Sequence, residues 1–232
     1  MLFPKNKEIP VKYIIDTENF INYKYPKGLF SNVYPYDNNK KLGCPAVLST
    51  DNKLFCVNSP VSYKLEFGLN DNEPYYKYEF NTKTHVVDDR LHNLIKSCLH
   101  MQYFKNTLSI QILMPYAFIT DNKEITVMTL PPPIEYNNCS YVSGELYIKN
   151  WIRHLNASFV LTNNDKPATV EFSVDKPIMM FVFNKQIKLE YTEQTDDILK
   201  YKNQTENIVN YRKGIMNLYE DIKSRRPKKL LW

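Results

Sequence analysis

The runs Ser109–Thr120 (SIQILMPYAFIT), Glu124–Tyr136 (EITVMTLPPPIEY), Ser143–Leu161 (SGELYIKNWIRHLNASFVL) and Ala168–Tyr191 (ATVEFSVDKPIMMFVFNKQIKLEY) decide the fold class. Each is rich in β-branched and aromatic residues, and turn-forming residues separate them. Runs of this length and spacing predict an antiparallel β-sandwich or jelly-roll-like domain. Ile112, Met114, Tyr116, Trp151, Phe159, Phe172, Met180 and Phe181 are the expected core. Strict alternation does not bury both Met180 and Phe181 on one face, so one of them is expected to turn outward. Pro131-Pro132-Pro133 is a stiff connection, because proline cannot donate to a sheet ladder.

Upstream, VSYKLEFGL alternates so that Val61, Tyr63, Leu65 and Phe67 share a face, and residues 74–80 (PYYKYEF) alternate as well. Ala46–Leu48 and Leu54–Val57 read as a hairpin closed by Thr50-Asp51-Asn52-Lys53. Asp88–Phe104 carries Leu91, Leu94, Ile95, Cys98 and Met101 at helical spacing; a helix with a strand in its second half is the alternative. Residues 1–40 are rich in proline and tyrosine and are expected to form an irregular arm. The division expected is therefore an arm over 1–40, a β-domain over 41–191, and a C-terminal helix and basic tail over 192–232.

The hydrophobic period changes after Thr195. Asp196 or Asp197 stands where a helix cap belongs. Tyr201, Ile208, Ile215 and Ile222 are seven residues apart, with Tyr211 and Leu218 filling the seam. The spacing predicts a long helix over about 196–224, ended by Pro227. Gly214 inside it costs about 1 kcal/mol relative to alanine. Two destinations for the seam stay open: the sheet of the same chain, or another chain. Beyond it Arg225, Arg226 and Trp232 belong to a basic tail with an apolar end. Tyr201, Ile208, Tyr211, Ile215, Leu218, Ile222, Arg225, Arg226 and Trp232 are the candidate interaction residues, with the tail end expected to dock on a neighbouring subunit.

The 232 residues carry a net charge of +5, much of it in that tail. No basic stripe with interleaved aromatics occurs elsewhere, so nucleic acid is not an expected partner. No apolar run is long enough to span a bilayer, so neither is a membrane. Cys44, Cys56, Cys98 and Cys139 form no C-x-x-C pair, and MLFPKNKEIP does not read as a secretory leader; reduced thiols are expected. Asn138, Asn156 and Asn203 head glycosylation-like triplets that an asparagine-rich chain produces by chance. The abundance of Lys, Asn, Ile, Tyr and Phe points to a low-GC genome, such as that of a marine phage or a low-GC bacterium.

No catalytic constellation is legible. His85, His92, His100 and His154 lack the H-x-D/E spacing of a facial triad. There is no G-x-S-x-G elbow and no glycine-rich phosphate loop. Cys98 is expected to face the core, and paired aspartates at helix starts read as caps. Trp151 reads as a buried anchor, or else as the floor of a pocket rimmed by Arg153 or His154. No catalytic residue, metal or cofactor is therefore expected.

The succession Tyr103-Phe104, ILMPYAFIT, LPPP, GELYIKNW, ASFVL and VEFSVDKPIMMFVF resembles a family of uncharacterised proteins of bacteria and of T4-like marine phages (cyanophage and pelagiphage type). The shared elements fall on Pro115, Tyr116, Phe118 and Thr120, on Pro131–Pro133, on Gly144 and Trp151, and on Phe172 and Pro177. Cys44–Ala46, Ser59–Phe67 and YRKGIMNLYEDIK are similar to the phage members. Pro131-Pro132-Pro133 departs from the family's GPxN turn, which weakens the bacterial link more than the phage link. The resemblance implies a sandwich-like domain and a phage origin, and it transfers no active site. The function expected is that of a virion structural component (capsid, neck or tail associated). It would contact other phage structural proteins or further copies of itself, first in the host cytoplasm during infection and then in the virion. A cupin or jelly-roll enzyme such as a metal-dependent oxygenase, and a small host-takeover binding protein, are the alternatives.

Overall fold

The computed structural model describes residues 8–15, 26–28, 52–81, 89–150, 152, 154–174, 176–206 and 223–231. The protein is mainly β, with several antiparallel sheets and short helices. The hairpin half at Ala46–Leu48, together with Cys44, His85, Trp151, Arg153 and Gly214, lies outside the described residues.

The organising strand is β7 (Thr107–Ile119). In its first half Leu108, Ile110 and Ile112 bury while their neighbours are less covered, the pattern of a strand with one core face. One edge of β7 pairs antiparallel with β12 (His154–Leu161). The other edge is shared: β6 (Leu99–Phe104) takes Thr107–Ile112, and β1 (Ile9–Ile15) takes Tyr116–Ile119. The gap between them contains Pro115, which has no N–H to donate. The register with β12 also shifts here, between His154 and Asn156. A proline inside a long central strand is thus accommodated at an irregularity of the ladder.

β1 continues the sheet to β15 (Ile187–Tyr191), to which it runs parallel, while β12 continues it to β10 (Cys139–Tyr141). The expectation of an irregular arm over 1–40 is corrected at Ile9–Ile15, the rest of that range lying mostly outside the described residues. Ile9–Ile15 is an interior strand with Val11 and Tyr13 in the main core and Ile14 on the opposite side. Its pairing comes from partners more than a hundred residues away, which local turn signals do not reveal.

The second sheet runs β11 (Glu145–Tyr147), β8 (Thr126–Leu130), β14 (Pro177–Phe183), β3 (Leu54–Asn58), β2 (Lys27–Gly28). The third runs β5 (Glu73–Phe80), β4 (Tyr63–Asn70), β13 (Ala168–Phe172), β9 (Glu135–Asn137). The main core draws from all three, including Tyr116 and Phe159, Phe55 and Phe181, Leu65 and Phe172. Val61, Tyr63, Leu65 and Phe67 are all buried, as their alternation requires. Met180 is the half-buried partner of buried Phe181. A register shift between Pro177 and Met179 lets Ile178 and Met179 both bury before alternation resumes.

Hairpin turns use the left-handed region. Asp71 and Asn72 (φ 51° and 65°) join β4 to β5, and Lys105 and Asn106 (φ 48° and 61°) join β6 to β7. Two consecutive positive φ values mark the primed turn whose twist suits a tight hairpin. The second of these turns ends the expected helix early. α1 occupies Asp89–Cys98, and Leu99–Phe104 is extended because the hairpin fixes it against β7. The strand alternative for that half is the one realised.

Asn138 (φ 54°) stands between β9 and β10. Its Nδ2 donates to Asn163 O at 2.9 Å and Lys166 O at 2.5 Å, and its Oδ1 accepts from Thr162 Oγ1 at 3.0 Å. The side chain ties the β9–β10 corner to the β12–β13 turn. Asn138→Ala removes these bonds and strains a left-handed residue; a loss of about 1–3 kcal/mol in chemical denaturation is expected. Asn138→Gly, which tolerates the φ, should lose less.

Candidate interaction surface

Sheet alternation sets the outward side chains of the third sheet, and its register sets them in rows. Glu79 pairs Lys64, Lys64 pairs Glu171, and Glu171 pairs Glu135, one residue from each of β5, β4, β13 and β9. The next outward row is Lys77, Glu66, Thr169 and Asn137. The two rows hold the carboxylates Glu66, Glu79, Glu135 and Glu171 against the ammonium groups Lys64 and Lys77. This face is acidic in a chain whose net charge is +5. Lys64 Nζ lies 3.3 Å from Glu171 Oε1, and Lys77 Nζ lies 3.1 Å from Glu66 Oε1. Both pairs are open to solvent, so each contributes at most about 1 kcal/mol. The Glu66 carboxylate accepting from Lys77 raises the pKa of that ammonium group. Among the described residues no salt bridge reaches Glu135. Glu171 and Glu135 stand directly opposite, and like charges so placed are destabilising.

Glu171 separates two hollows. One, of about 670 Å³, is lined by Pro131–Pro133, Ile134, Glu135, Tyr136, Asn137, Thr169 and Glu171. The triproline forms one wall, since its fixed φ keeps the connection extended beside the edge strand β9. Tyr136 rests its ring on Phe159 at 5.9 Å and remains 39% exposed. The other, of about 280 Å³, is lined by Ser62, Tyr63, Lys64, Glu79, Phe80, Asn81, Glu171, Phe172 and Ser173. Tyr63 stacks on Phe172 at 4.6 Å, and its buried hydroxyl has no hydrogen-bond partner. Burial pushes the Tyr63 phenol well above its ordinary range, and Cys98 adds to the effect. Tyr63 thus lines the floor of this hollow and keeps its phenol protonated at neutral pH.

The expected interaction residues of the C-terminal region are distributed differently. α2 spans Asp196–Glu206. Its cap is Thr195, not Asp196 or Asp197: Thr195 Oγ1 accepts from Ile198 N at 3.4 Å, and the aspartates occupy the first turn. Ile198, Tyr201, Lys202 and Thr205 recur at helical spacing and are all buried. Tyr201 donates its hydroxyl to Asn150 O at 3.0 Å, and Thr205 donates to Ile152 O. Ile198, Tyr201 and Leu230 pack with Ile14, Ala117, Ile119 and Ile152 into a second core. That packing buries the end of β7 on both faces. Tyr201 therefore serves the chain's own sheet. Ile208, Tyr211, Ile215, Leu218, Ile222 and Trp232 lie outside the described residues, as does the rest of the expected long helix over 207–222.

The tail follows the same rule. Arg226, whose side chain is 3% exposed, places Nη2 3.0 Å from Asp121 Oδ1 and 3.1 Å from Thr120 O. Its guanidinium lies 5.8 Å from the Tyr201 ring centre. Asp121 also accepts from Leu230 N and Leu231 N, each at 3.1 Å. The expectation that Arg226 and the Leu230-Leu231 end dock on a neighbour is corrected: they are fastened to the β7–β8 connection of their own chain. Arg225 is exposed, as are Lys223, Lys228 and Lys229.

Among the described residues no group of three or more His, Cys, Asp or Glu side chains is placed to hold a metal ion. His92 packs beside Tyr78 and Phe80, with Nδ1 3.3 Å from the Tyr78 hydroxyl. Cys56, Cys98 and Cys139 are buried, and burial pushes the Cys139 thiol up to about 11. Among the described residues no helix is long and apolar enough to cross a membrane.

The acidic row is absent from the sequence expectations. Its signal is a glutamate between apolar or aromatic neighbours, as in Leu65-Glu66-Phe67, Tyr78-Glu79-Phe80, Val170-Glu171-Phe172 and Ile134-Glu135-Tyr136. That pattern places each acid outward but does not align them. No family model, no curated protein and no solved structure matches the chain.

Proposed function

We propose that this chain is a structural component of a phage virion, a jelly-roll-like β-sandwich that works through protein–protein contact. The observation that carries the reading is the outward face of the third sheet, where Glu171 and Glu135 oppose each other beside an open groove. An isolated chain gains nothing from opposed carboxylates. A partner that brings cations to them converts a cost into complementarity, which guides encounter and register more than it adds affinity. The phage assignment rests on the resemblance of the ILMPYAFIT, LPPP and VEFSVDKPIMMFVF elements to proteins of marine phages. The sandwich reading is supported by a main core to which all three sheets contribute, and α2 is the proposed start of the longer helix that the Ile208–Ile222 seam continues.

Mass spectrometry of purified particles tests the function. Recovery of the chain in defined stoichiometry with known capsid, neck or tail proteins is expected. Abundant chain in infected-cell lysate with none in particles would discard the virion role in favour of a host-takeover binding protein.

A further inference from the structure

We propose that the partner of the acidic face is the basic C-terminal segment of a second copy of this chain. The inference rests on the reading of that face as an interaction surface and names what covers it. Two features of the tail carry it.

The first is charge. Lys228 and Lys229 are exposed, adjacent and free of any carboxylate on neighbouring positions, with Lys223 and Arg225 exposed just before them. The acidic face offers Glu135 and Glu171 on neighbouring strands, about 4.8 Å apart in the pairing direction. Two lysine stems from consecutive residues easily straddle that separation.

The second is presentation. Pro227-Lys228-Lys229 is held at both ends by one side chain. Asp121 binds Arg226 before it and the N–H groups of Leu230 and Leu231 after it. Leu230 is buried beneath. The two ammonium groups therefore project from a short arch fixed to the body of the domain. Less backbone entropy is lost on docking than a free basic tail would lose.

Tail on one copy and acidic face on the next make a heterologous contact. Such a contact generates a ring if the rotation closes and a filament if it does not.

The experiment uses the full chain in sedimentation equilibrium at low and high salt. Wild type is expected to self-associate, less strongly at high salt as the charges are screened. Glu135→Lys should weaken association by roughly tenfold. It should not lower the melting temperature, because it replaces an opposed like-charge pair by an ammonium group facing Glu171. Lys228→Glu/Lys229→Glu should weaken association similarly, and combining it with Glu135→Lys should restore much of the loss. Lys228→Gln/Lys229→Gln repeats the test without adding carboxylates near Asp121.

A wild-type chain that stays monomeric, or single variants that associate like wild type, would overturn the inference. So would failure of the combined variant to recover. Incorporation of Glu135→Lys into particles separates this from the broader reading. Lost incorporation with unchanged self-association means that another protein covers the face: the inference falls and the proposed function stands. Unchanged incorporation and unchanged association remove the inference and the acidic face as a contact surface, while the chain's presence in particles leaves the virion role standing.

Discussion

Asp121→Ala is expected to lower stability by about 3 kcal/mol, because it leaves an almost fully buried guanidinium without its counter-ion. Arg226 would retain only the carbonyl oxygens of Thr120 and Pro227 as acceptors. Its Nε already has no hydrogen-bond partner. Leu230 N and Leu231 N would lose their acceptors in the same step. The damage should start at the tail, so trypsin cleavage after Lys228 and Lys229 is expected to accelerate before global unfolding is seen. Asp121→Asn keeps one acceptor oxygen but loses the charge, and it should fall between the two. A change under about 1 kcal/mol in urea denaturation, with unaltered cleavage, would show that the tail does not depend on this carboxylate.

Phe181→Ala should cost more, about 3–5 kcal/mol, the range for deleting a buried aromatic ring. Phe181 is fully buried and sits at the meeting of four rings. It stacks on Phe55 at 5.8 Å and lies 5.0 Å from Phe118 and 5.9 Å from Phe183. No neighbour there is able to collapse into the space without breaking another ring contact. Met180→Ala, one residue away and half-buried, should cost clearly less. Thermal denaturation of the pair measures the alternation of β14 directly. Equal losses would mean that the strand is covered on both sides.

The strand segments were legible because alternation is a local property. Every residue of the SIQILMPYAFIT run that the period places inward is buried, and the later half is buried on both faces. What alternation does not report is the occupant of the second face. Ala117 and Ile119 are apolar because α2 and Leu230 cover them, and that covering is a long-range event. The same limit explains β1. IPVKYII is short, and it becomes an interior strand only because β7 and β15 accept it on either edge. The tail reading failed for a related reason. Arg226 reads as one more cation in KSRRPKK, and its partner Asp121 lies 105 positions earlier in a turn.

The sequence by itself determined the mainly β character, the turn at Pro131–Pro133, the burial of Tyr116, Phe159, Phe172 and Phe181, and the helical onset after Thr195. All of these follow from side-chain periodicity and backbone preference over a few residues. Only the tertiary structure decided which glutamates face one another, because a row across four strands is set by register. A shift of one residue in β9 would carry Glu135 away from Glu171 and turn its side chain to the other face. The acidic surface is therefore a property of pairing between strands, and no single segment encodes it.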